Sequence, residues 1–297
     1  MRILFNNVNF DSRSGPNGFG LKLARQLIKI GHEIVAQDPD VALSFIQGYV
    51  PGTKNVLRLD GIWFNVSQDW KKMNEPILKS YDLADSIIVQ SEFNKELVFN
   101  YFGKRENVQV VHNGTDLSII EKIQPANTDS SRSETWLCAS SWRPHKRLAE
   151  NIEYFQHASG EKDTLFVAGS GDAKAAVDCK DPRVVYVGDL PWEHLISLMK
   201  AASNFIHLAY LDHCPNVVVD ARAAGCRIVC SDSGGTAEIA GNDAVVVKDA
   251  NWDFSPTALY EPPKLDMSNL GLPMQPKANN IVDVCDQYCE IFENLIA

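Results

Sequence analysis

The chain has 297 residues, 45% of them hydrophobic, which is enough apolar sequence for two cores of ordinary size. Its formal net charge of -10 at pH 7 argues against general affinity for nucleic acid or anionic membranes. The apolar runs are too short to span a bilayer, and the first five residues are typical of a strand, not of a signal sequence. We therefore expect a soluble, cytoplasmic protein of two domains, without a transmembrane segment or a nucleic-acid partner.

Seven cysteines are present, and five of them lie in apolar patterns: Cys138, Cys226, Cys230, Cys285 and Cys289. Their spacing does not form the CxxC pairs of a metal site, and no histidine cluster completes one. We expect these cysteines to be small buried side chains of a protein from a reducing compartment. We expect no metal site.

The first 120 residues alternate between short apolar runs and amphipathic segments, which predicts a parallel α/β domain. The predicted strands are Arg2–Val8, Val41–Ile46, Asn55–Leu59, Ser86–Gln90 and Val108–Val111, and the predicted helices are Phe19–Ile30 and Glu92–Phe102. Ser91 is a favourable N-cap for the second of these helices, and Gly103 ends it. A turn at Asn113-Gly114 closes the domain.

A glycine-rich loop is predicted over Ser12–Gly20, between the first strand and the first helix. Glycines allow a ligand to approach the backbone closely, so Gly15, Asn17 and Gly18 are candidate contacts. A plain strand–helix turn explains the same residues equally well. The loop lacks the Gly-Lys-Ser/Thr of a phosphate loop and the GxGxxG of a dinucleotide site.

Two further groups of charged residues lie in the first domain. Asp38-Pro39-Asp40 has the spacing of an Asp-x-Asp metal site, but the proline and the strand that follows favour a simple turn. Arg58 and Asp60 lie at the carboxyl end of a predicted strand. They are either substrate contacts or a structural ion pair.

Apolar sequence returns at Thr135, after a polar linker over Leu117–Ser133. The predicted strands are Trp136–Ser140, Asp163–Ala168, Val184–Val187, Asn204–Tyr210, Arg227–Cys230 and Val245–Val247, and the predicted helices are Leu148–His157, Trp192–Ala201 and a run from Pro215 to Gly225. A proline-rich, extended excursion follows over Trp252–Asn280. Ile281–Ile296 predicts a helix with one buried stripe.

A basic segment, Arg143-Pro144-His145-Lys146-Arg147, lies between the strand Trp136–Ser140 and the helix that follows. Positive charge at a helix N-terminus opposes the helix dipole, so this placement indicates either a bound anion or a solvated surface. A diphosphate would convert the unfavourable charge into charge-assisted hydrogen bonds.

Two carboxylates bracket the loop after the strand Asn204–Tyr210. Asp212 precedes the helix that Pro215 begins, and Asp220 lies inside that helix. Ionised carboxylates accept hydrogen bonds from neighbouring hydroxyls, so one acid can bind a sugar hydroxyl and the other a ribose diol. An ordinary surface loop with a solvated helix face is the alternative.

The segment from Asp212 to Glu238 resembles the nucleotide-sugar site of the family-4 retaining glycosyltransferases, which are glycosyl transferases of group 1. The family pattern is Glu, seven residues, Glu, Ala-x-Ala-x-Gly, an apolar strand, Gly-Gly and a further Glu. Its counterparts here are Asp212, Asp220, the segment 221–225, Gly234-Gly235 and Glu238. Aspartates replace both of the first two glutamates. The resemblance extends over most of the chain and is strongest over 136–241.

The resemblance implies an α/β protein with the GT-B fold, in which two Rossmann-like domains with parallel sheets face a central cleft. Residues 1–120 would form the acceptor-binding domain and residues 134–280 the nucleotide-sugar-binding domain, with a C-terminal helix over 281–297 packing toward the first domain. It implies retaining, metal-independent transfer of a hexose from a UDP-, GDP- or ADP-linked sugar to a hydroxyl of a glycan or other acceptor. No cofactor is expected besides the nucleotide sugar as co-substrate.

The resemblance also implies roles for single residues. Asp212, Arg143 and Lys146 would be catalytic, with the two basic residues neutralising the leaving diphosphate. The family arginine aligns with Ser141, so Arg143 would act from a different position. Donor contacts would come from Asp220, His213, Cys214, Pro215, Asn216, Gly169 and Leu190. Acceptor or cleft contacts would come from Gly15, Asn17, Gly18, Arg58, Asp60 and Glu238.

Two alternatives to a glycosyltransferase remain open. A sugar-nucleotide epimerase of the same fold needs acid and base groups in its cleft, and the segment Arg58–Gly61 offers no histidine. A nucleotide-sugar-binding or glycan-binding protein without turnover is compatible with the two aspartates and with the short chain.

Overall fold

Two parallel β-sheets of six strands each form the frame of the described part of the chain. The structure is a computed structural model and describes residues 1–12, 14–128, 134–171, 179–267 and 280–296. Within these residues no helix is long and apolar enough to cross a membrane. The two parallel sheets confirm the predicted architecture of two Rossmann-like domains.

The first sheet has the strand order β2-β1-β3-β4-β5-β6. Its strands are β1 (Arg2–Asn6), β2 (Glu33–Ile34), β3 (Val41–Phe45), β4 (Lys54–Leu59), β5 (Ser86–Val89) and β6 (Val108–Val110). The helices in this part of the chain are α1 (Gly15–Lys29), α2 (Trp70–Leu83), α3 (Glu92–Phe102) and α4 (Leu117–Ile120). Every residue of β3 and β5 is buried, because helices cover both faces of a parallel sheet.

The second sheet has the strand order β12-β11-β10-β7-β8-β9. Its strands are β7 (Thr135–Ala139), β8 (Thr164–Ala168), β9 (Val184–Gly188), β10 (Asn204–His207), β11 (Arg227–Ser231) and β12 (Val245–Val247). The remaining helices are α5 (Leu148–Ala158), α6 (Trp192–Ala201), α7 (Asn216–Ala223), α8 (Thr236–Ala240) and α9 (Ile281–Ile296), with a 3₁₀ turn at Pro144–Lys146. The strand order reverses between β7 and β10, and such a reversal is where open α/β sheets bind ligands.

Several elements differ from the predictions, among them β2, α4 and α8, which were not predicted. Helix α1 begins at Gly15, four residues earlier than predicted, since Pro16 favours the first helical turn and the Gly18 N–H donates to the Ser14 carbonyl at 2.8 Å. Most of the predicted glycine-rich loop is therefore helical. Helix α2 was not predicted, and it contains Pro76. Strand β10 ends at His207, because the Tyr210 N–H donates to the His145 carbonyl at 2.7 Å, outside the sheet.

Helix α9 packs on the first domain and completes its core. Tyr288 and Phe292 are fully buried, in one apolar cluster with Leu23 and Phe19 of α1. The Phe19 and Tyr288 ring centroids are 6.1 Å apart. The last helix of the chain thus belongs to the hydrophobic core of the first sheet.

The segment after β12 also crosses to the first domain. The Thr257 N–H donates to the Phe64 carbonyl at 3.0 Å, and the Val66 N–H donates to the Thr257 carbonyl at 3.0 Å. The Trp252 ring packs on Phe64 with a centroid distance of 4.9 Å. Residues 268–279 of the predicted proline-rich excursion and residues 129–133 of the predicted linker lie outside the described residues.

We expect the substitution Phe292→Ala to lower the free energy of unfolding by about 3–5 kcal/mol, because it leaves a cavity where α9 meets α1. Val282→Ala on the same helix is the control, since that side chain is 39% exposed and its loss should change stability by about 0.5 kcal/mol. Denaturant unfolding followed by circular dichroism measures both values. Equal losses for the two variants would show that α9 is not part of the core.

Candidate functional site

A cleft with a volume of about 640 Å³ lies between the carboxyl ends of the two sheets. From the first domain it is lined by residues that include Ser14, Gly15, Pro16, Asp60, Gln90 and Asn113. From the second domain the lining includes Arg143, Lys146, Gly169, Leu190, His207 and the segment from Asp212 to Asn216. The topology therefore brings together, in one cavity, most of the side chains that the sequence analysis selected.

The Asp212 carboxylate accepts three hydrogen bonds at the centre of the cleft. Lys146 Nζ lies 2.5 Å and His207 Nε2 lies 2.9 Å from Asp212 Oδ2, and the His213 N–H donates to Oδ1 at 3.0 Å. Burial alone raises the pKa of Asp212, but the Lys146 ammonium and His207 hold that pKa well below its ordinary value. Asp212 is therefore a fixed, ionised acceptor.

His207 is a site residue that the sequence analysis missed. It is the last residue of β10 and is almost completely buried, and burial lowers its pKa, so the imidazole is neutral. A neutral imidazole next to an ionised carboxylate carries its proton on the nitrogen that faces the carboxylate, so Nε2–H donates to Asp212. The only signal in the sequence is one histidine in an apolar run, which is equally typical of a core residue.

The basic segment divides into two cleft residues and one structural residue. Lys146 and Arg143 line the cleft, and the exposed Arg143 guanidinium has no hydrogen-bond partner among the described residues. Arg147 is instead buried, with its guanidinium in a two-point ion pair to Asp249 at 2.7 and 3.1 Å. The prediction that Arg147 contributes charge to an anion site is wrong, because its side chain points into the domain.

His145 does not contribute positive charge to this segment either. Its side chain is buried, and burial together with the adjacent Lys146 lowers its pKa to about 3. The ring packs against Tyr260 with a centroid distance of 5.4 Å. The anion-binding potential of the segment therefore comes from Arg143 and Lys146.

The N-terminus of helix α7 faces the cleft through the loop from His213 to Asn216. Cys214 is buried, and its carbonyl accepts a hydrogen bond from Asn113 Nδ2 at 2.9 Å. Pro215 is the N-cap residue, and Asn216 Nδ2 donates to the Gly15 carbonyl at 2.9 Å. The positive end of the α7 dipole is thus held next to the first domain, where it favours an anion.

Gly169 and Leu190 form the wall of the cleft at the end of β8 and after β9. Gly169 has a φ of +98°, and a Cβ at this position would lie 1.9 Å from the Ser140 carbonyl oxygen. Glycine is therefore required for the loops after β7 and β8 to approach each other. Leu190 is partly buried and packs on the core of the second sheet.

Asp220 lies outside the cleft lining, on the buried side of α7. Its Oδ1 is 2.8 Å from Lys22 Nζ of helix α1, and its Oδ2 accepts from Trp192 Nε1 at 2.8 Å. Lys22 Nζ also donates to Thr115 Oγ1 at 3.2 Å. Both oxygens of the carboxylate that was predicted to bind the ribose are thus occupied, Oδ1 by an ion pair that joins the two domains and Oδ2 by a side chain of the second domain.

Of the glycine-rich segment, only Gly15 among the three candidates lines the cleft. Asn17 instead stabilises the turn before α1, since its Oδ1 accepts from the Asn9 N–H at 3.0 Å and its Nδ2 donates to Ser14 Oγ at 2.9 Å. Gly18 lies within the first turns of α1. The prediction of a loop up to Gly20 is wrong, because Gly15 to Gly20 are helical.

Arg58 and Asp60 form an ion pair, and the two residues differ in location. Arg58 is fully buried, donates to Asn113 Oδ1 at 2.7 Å and lies 4.1 Å from the Phe19 ring centroid. Asp60 lines the cleft, and burial raises its pKa. Asp60 Oδ1 accepts from Gln90, whereas Oδ2 has no hydrogen-bond partner among the described residues.

Glu238 joins the second domain to helix α3 of the first and does not line the cleft. Its carboxylate accepts from the backbone N–H groups of Glu92 at 2.7 Å and Phe93 at 2.9 Å, and it lies 3.3 Å from His112 Nε2. A carboxylate at this position caps the free N–H groups at the start of α3 and faces the positive end of its dipole. Glu238 is therefore an interdomain contact.

Part of the chain is similar to a known protein family. Residues 119–255 match the model of the family described as Glycosyl transferases group 1. A comparison with curated proteins gave no match.

Three solved structures illustrate the likeness in fold. HepE from Anabaena in complex with UDP has a TM-score of 0.69 and 13% identity, covering 99% of this chain and 100% of that chain. Sucrose-phosphate synthase from Thermosynechococcus elongatus has a TM-score of 0.69 and 14% identity, covering 99% and 98%. AviGT4, a glycosyltransferase involved in avilamycin A biosynthesis, has a TM-score of 0.66 and 15% identity, covering 99% and 98%. The chain therefore has the GT-B fold, as predicted.

We expect Glu238→Gln to lower the free energy of unfolding at pH 7 by about 1–2 kcal/mol, because the charged cap of α3 is lost. Although burial raises the pKa of Glu238, its hydrogen bonds from His112, Phe93 and Glu92 lower that pKa below 4.5 overall. A carboxylate with a lowered pKa stabilises the fold above its unfolded pKa and loses this effect as the pH falls through its folded pKa.

Thermal unfolding of the wild type and of Glu238→Gln at pH 5.5 and pH 3.5 measures how the contribution of Glu238 to stability depends on pH. The difference between wild type and Glu238→Gln should shrink at the lower pH. The variant Glu92→Gln is the control, because the Glu92 side chain is largely exposed. A difference that is the same at both pH values would contradict the role of the ionised Glu238 carboxylate.

Proposed function

We propose that the protein is a glycosyltransferase that moves a sugar from a nucleoside-diphosphate sugar to a hydroxyl of a glycan or other acceptor. The observation that carries this proposal is the meeting of Arg143, Lys146 and the N-terminus of α7 in one cleft. These are three sources of positive potential at the point where the strand order reverses. The family match over residues 119–255 supports the same activity.

Lys146 is suited to bind the diphosphate while it stays paired with Asp212. A lysine ammonium has three N–H donors, and among the described residues Lys146 Nζ uses one of them, toward Asp212. The other donors are available to phosphate oxygens, together with the guanidinium of Arg143. Positive charge at this position stabilises the negative charge that develops on the leaving group.

The transfer step breaks the bond between the anomeric carbon and the terminal diphosphate oxygen, and the electron pair stays with the diphosphate. The acceptor oxygen forms the new bond to the anomeric carbon, and its proton passes to the departing diphosphate oxygen. The ionised Asp212 would accept a hydrogen bond from a hydroxyl of the transferred sugar and orient that sugar. Two side-chain cations and a helix N-terminus supply the electrostatic stabilisation, so we propose a reaction that is independent of metal.

Retention of the anomeric configuration and a hexose as the transferred sugar are proposed on the resemblance of the segment Asp212–Glu238 to the retaining family. HepE from Anabaena, which shares the fold, was solved with UDP and with UDP-glucose. We therefore propose a UDP-linked hexose as the first donor to test, with GDP- and ADP-linked sugars beside it.

We expect UDP or another nucleoside diphosphate, and its sugar, to raise the melting temperature of the wild type, because the ligand binds only the folded state. Lys146→Ala should weaken that binding by about tenfold to a hundredfold, as a hydrogen bond to a charged group contributes about 1.5–3 kcal/mol. Thermal shift at a series of ligand concentrations gives both affinities.

The control for Lys146→Ala is Lys248→Ala, which removes the same charge from the second domain at a highly exposed position outside the cleft lining. Lys248→Ala should bind the donor with the affinity of the wild type. Unchanged donor affinity in a folded Lys146→Ala protein would overturn the assignment of the diphosphate to this loop.

A further inference from the structure

A second, smaller chamber opens beside the cleft and has a volume of about 150 Å³. Arg143, Asp212 and His213 line both cavities, so the two meet where the cleft holds its ionised carboxylate. The other walls of this side chamber come chiefly from the first-domain residues 62–65 and from residues 259–260. A water molecule occupies about 30 Å³ of liquid, so the side chamber has room for one small unit, not for a chain.

Hydrogen bonds to the backbone of Trp63, Phe64 and Val66 hold the walls of the side chamber in place. Asn74 of helix α2 accepts from the Trp63 N–H at 2.9 Å and donates to the Trp63 carbonyl at 2.7 Å. Thr257 pairs with the backbone of Phe64 and Val66, which fixes the chain just before Tyr260. The chamber is thus preformed, and a ligand would not have to order it.

Three buried polar atoms on residues of the side chamber have no hydrogen-bond partner among the described residues: Asn65 Nδ2, His145 Nδ1 and His213 Nδ1. Each of these atoms has almost no accessible surface, so a ligand in the chamber can pair with it only after the side chain turns toward the chamber. Leaving a buried donor or acceptor unpaired costs about 1–3 kcal/mol, which favours such a turn when a hydroxyl is present. Burial lowers the pKa of His145 to about 3 and that of His213 to about 4, so both rings are neutral. Each group suits an uncharged hydroxyl.

Most of the other wall residues of the side chamber are apolar or aromatic, among them Trp63, Phe64 and Tyr260, and Gln68 adds one polar side chain. The two charged residues, Arg143 and Asp212, lie on the side shared with the cleft and have opposite signs. A sugar ring combines an apolar face of C–H groups with a rim of hydroxyls, and it carries no charge. An anionic group would meet neutral imidazoles and the Asp212 carboxylate, and the Arg143 guanidinium is already assigned to the diphosphate of the donor.

We propose that the side chamber binds the reacting sugar unit of a neutral saccharide acceptor and directs its hydroxyl toward the donor sugar beside Asp212. This inference rests on the proposed glycosyltransferase function and specifies its acceptor class. The hydroxyl oxygen held in the chamber forms the new bond to the anomeric carbon, and its proton leaves on the diphosphate. Asn65 and Tyr260 then determine the affinity for the acceptor, not for the donor.

Two substitutions test this proposal. Asn65→Asp keeps the oxygen that accepts from the Ser67 N–H at 3.1 Å and replaces the unpaired amide donor. Tyr260→Ala removes one aromatic wall. Tyr49→Ala is the control, because Tyr49 is an exposed aromatic of the first domain outside both cavities. Thermal unfolding of each variant confirms that it is folded.

The assay measures nucleoside diphosphate released from the donor in water alone, with neutral methyl glycosides, and with sugar phosphates. We expect methyl glycosides to accelerate release by the wild type, and sugar phosphates to have less effect. Asn65→Asp and Tyr260→Ala should each raise the KM for the glycoside about tenfold, a larger change than either causes in the KM for the donor. Tyr49→Ala should behave as the wild type.

The outcomes separate this inference from the proposed function. A wild type that neither binds nor cleaves any nucleotide sugar would overturn the glycosyltransferase proposal and, with it, the acceptor assignment. A wild type that cleaves the donor but is accelerated only by sugar phosphates, or by no glycoside, would overturn the acceptor assignment alone. Variants that fold and keep the wild-type KM for the glycoside would do the same.

Discussion

The ion pair between Lys146 and Asp212 joins the loops that follow β7 and β10, the two neighbouring strands where the second sheet reverses its order. His207 and the His213 N–H complete the shell around the carboxylate, so Asp212 is ionised at neutral pH and held in one orientation. A ligand in the cleft therefore meets the fixed Asp212 carboxylate next to the Lys146 ammonium, which uses only one of its N–H groups among the described residues. Both the proposed donor site and the proposed acceptor chamber include Asp212.

This arrangement depends on the two domains facing each other, and several contacts between them hold that geometry. Lys22 pairs with Asp220, Asn216 donates to the Gly15 carbonyl in the first turn of α1, and Glu238 caps α3. Helix α9 adds an apolar contact, because it follows the second domain in sequence and packs in the core of the first. Polar contacts of this kind are directional and specify one relative orientation, whereas α9 buries apolar side chains.

Much of the fold and part of the site could be predicted from the sequence, because short apolar runs and helix ends are local signals. The bounds of α3, α6 and α9 agree with those predicted, and Ser91 caps α3 as expected. Asp212 and Lys146 could be predicted as site residues because they are charged and follow predicted strands. The carboxyl ends of parallel strands lie at one edge of the sheet, which brings such residues together.

The features that could not be predicted arise from contacts between side chains, most of them between residues far apart in sequence. His207 became a site residue only through its hydrogen bond to Asp212, and Arg147 left the site through its pair with Asp249. Asp220 is occupied by Lys22, a residue 198 positions away.

The central claim is that the protein transfers a sugar from a nucleotide sugar to a hydroxyl. To test it, we would follow a mixture of the protein, a UDP-, GDP- or ADP-linked hexose and a neutral glycoside by proton NMR, in buffer with EDTA. The account predicts that the anomeric signal of one donor is replaced by that of a new glycoside of the same configuration. A product of inverted configuration, or no loss of any donor, would contradict it.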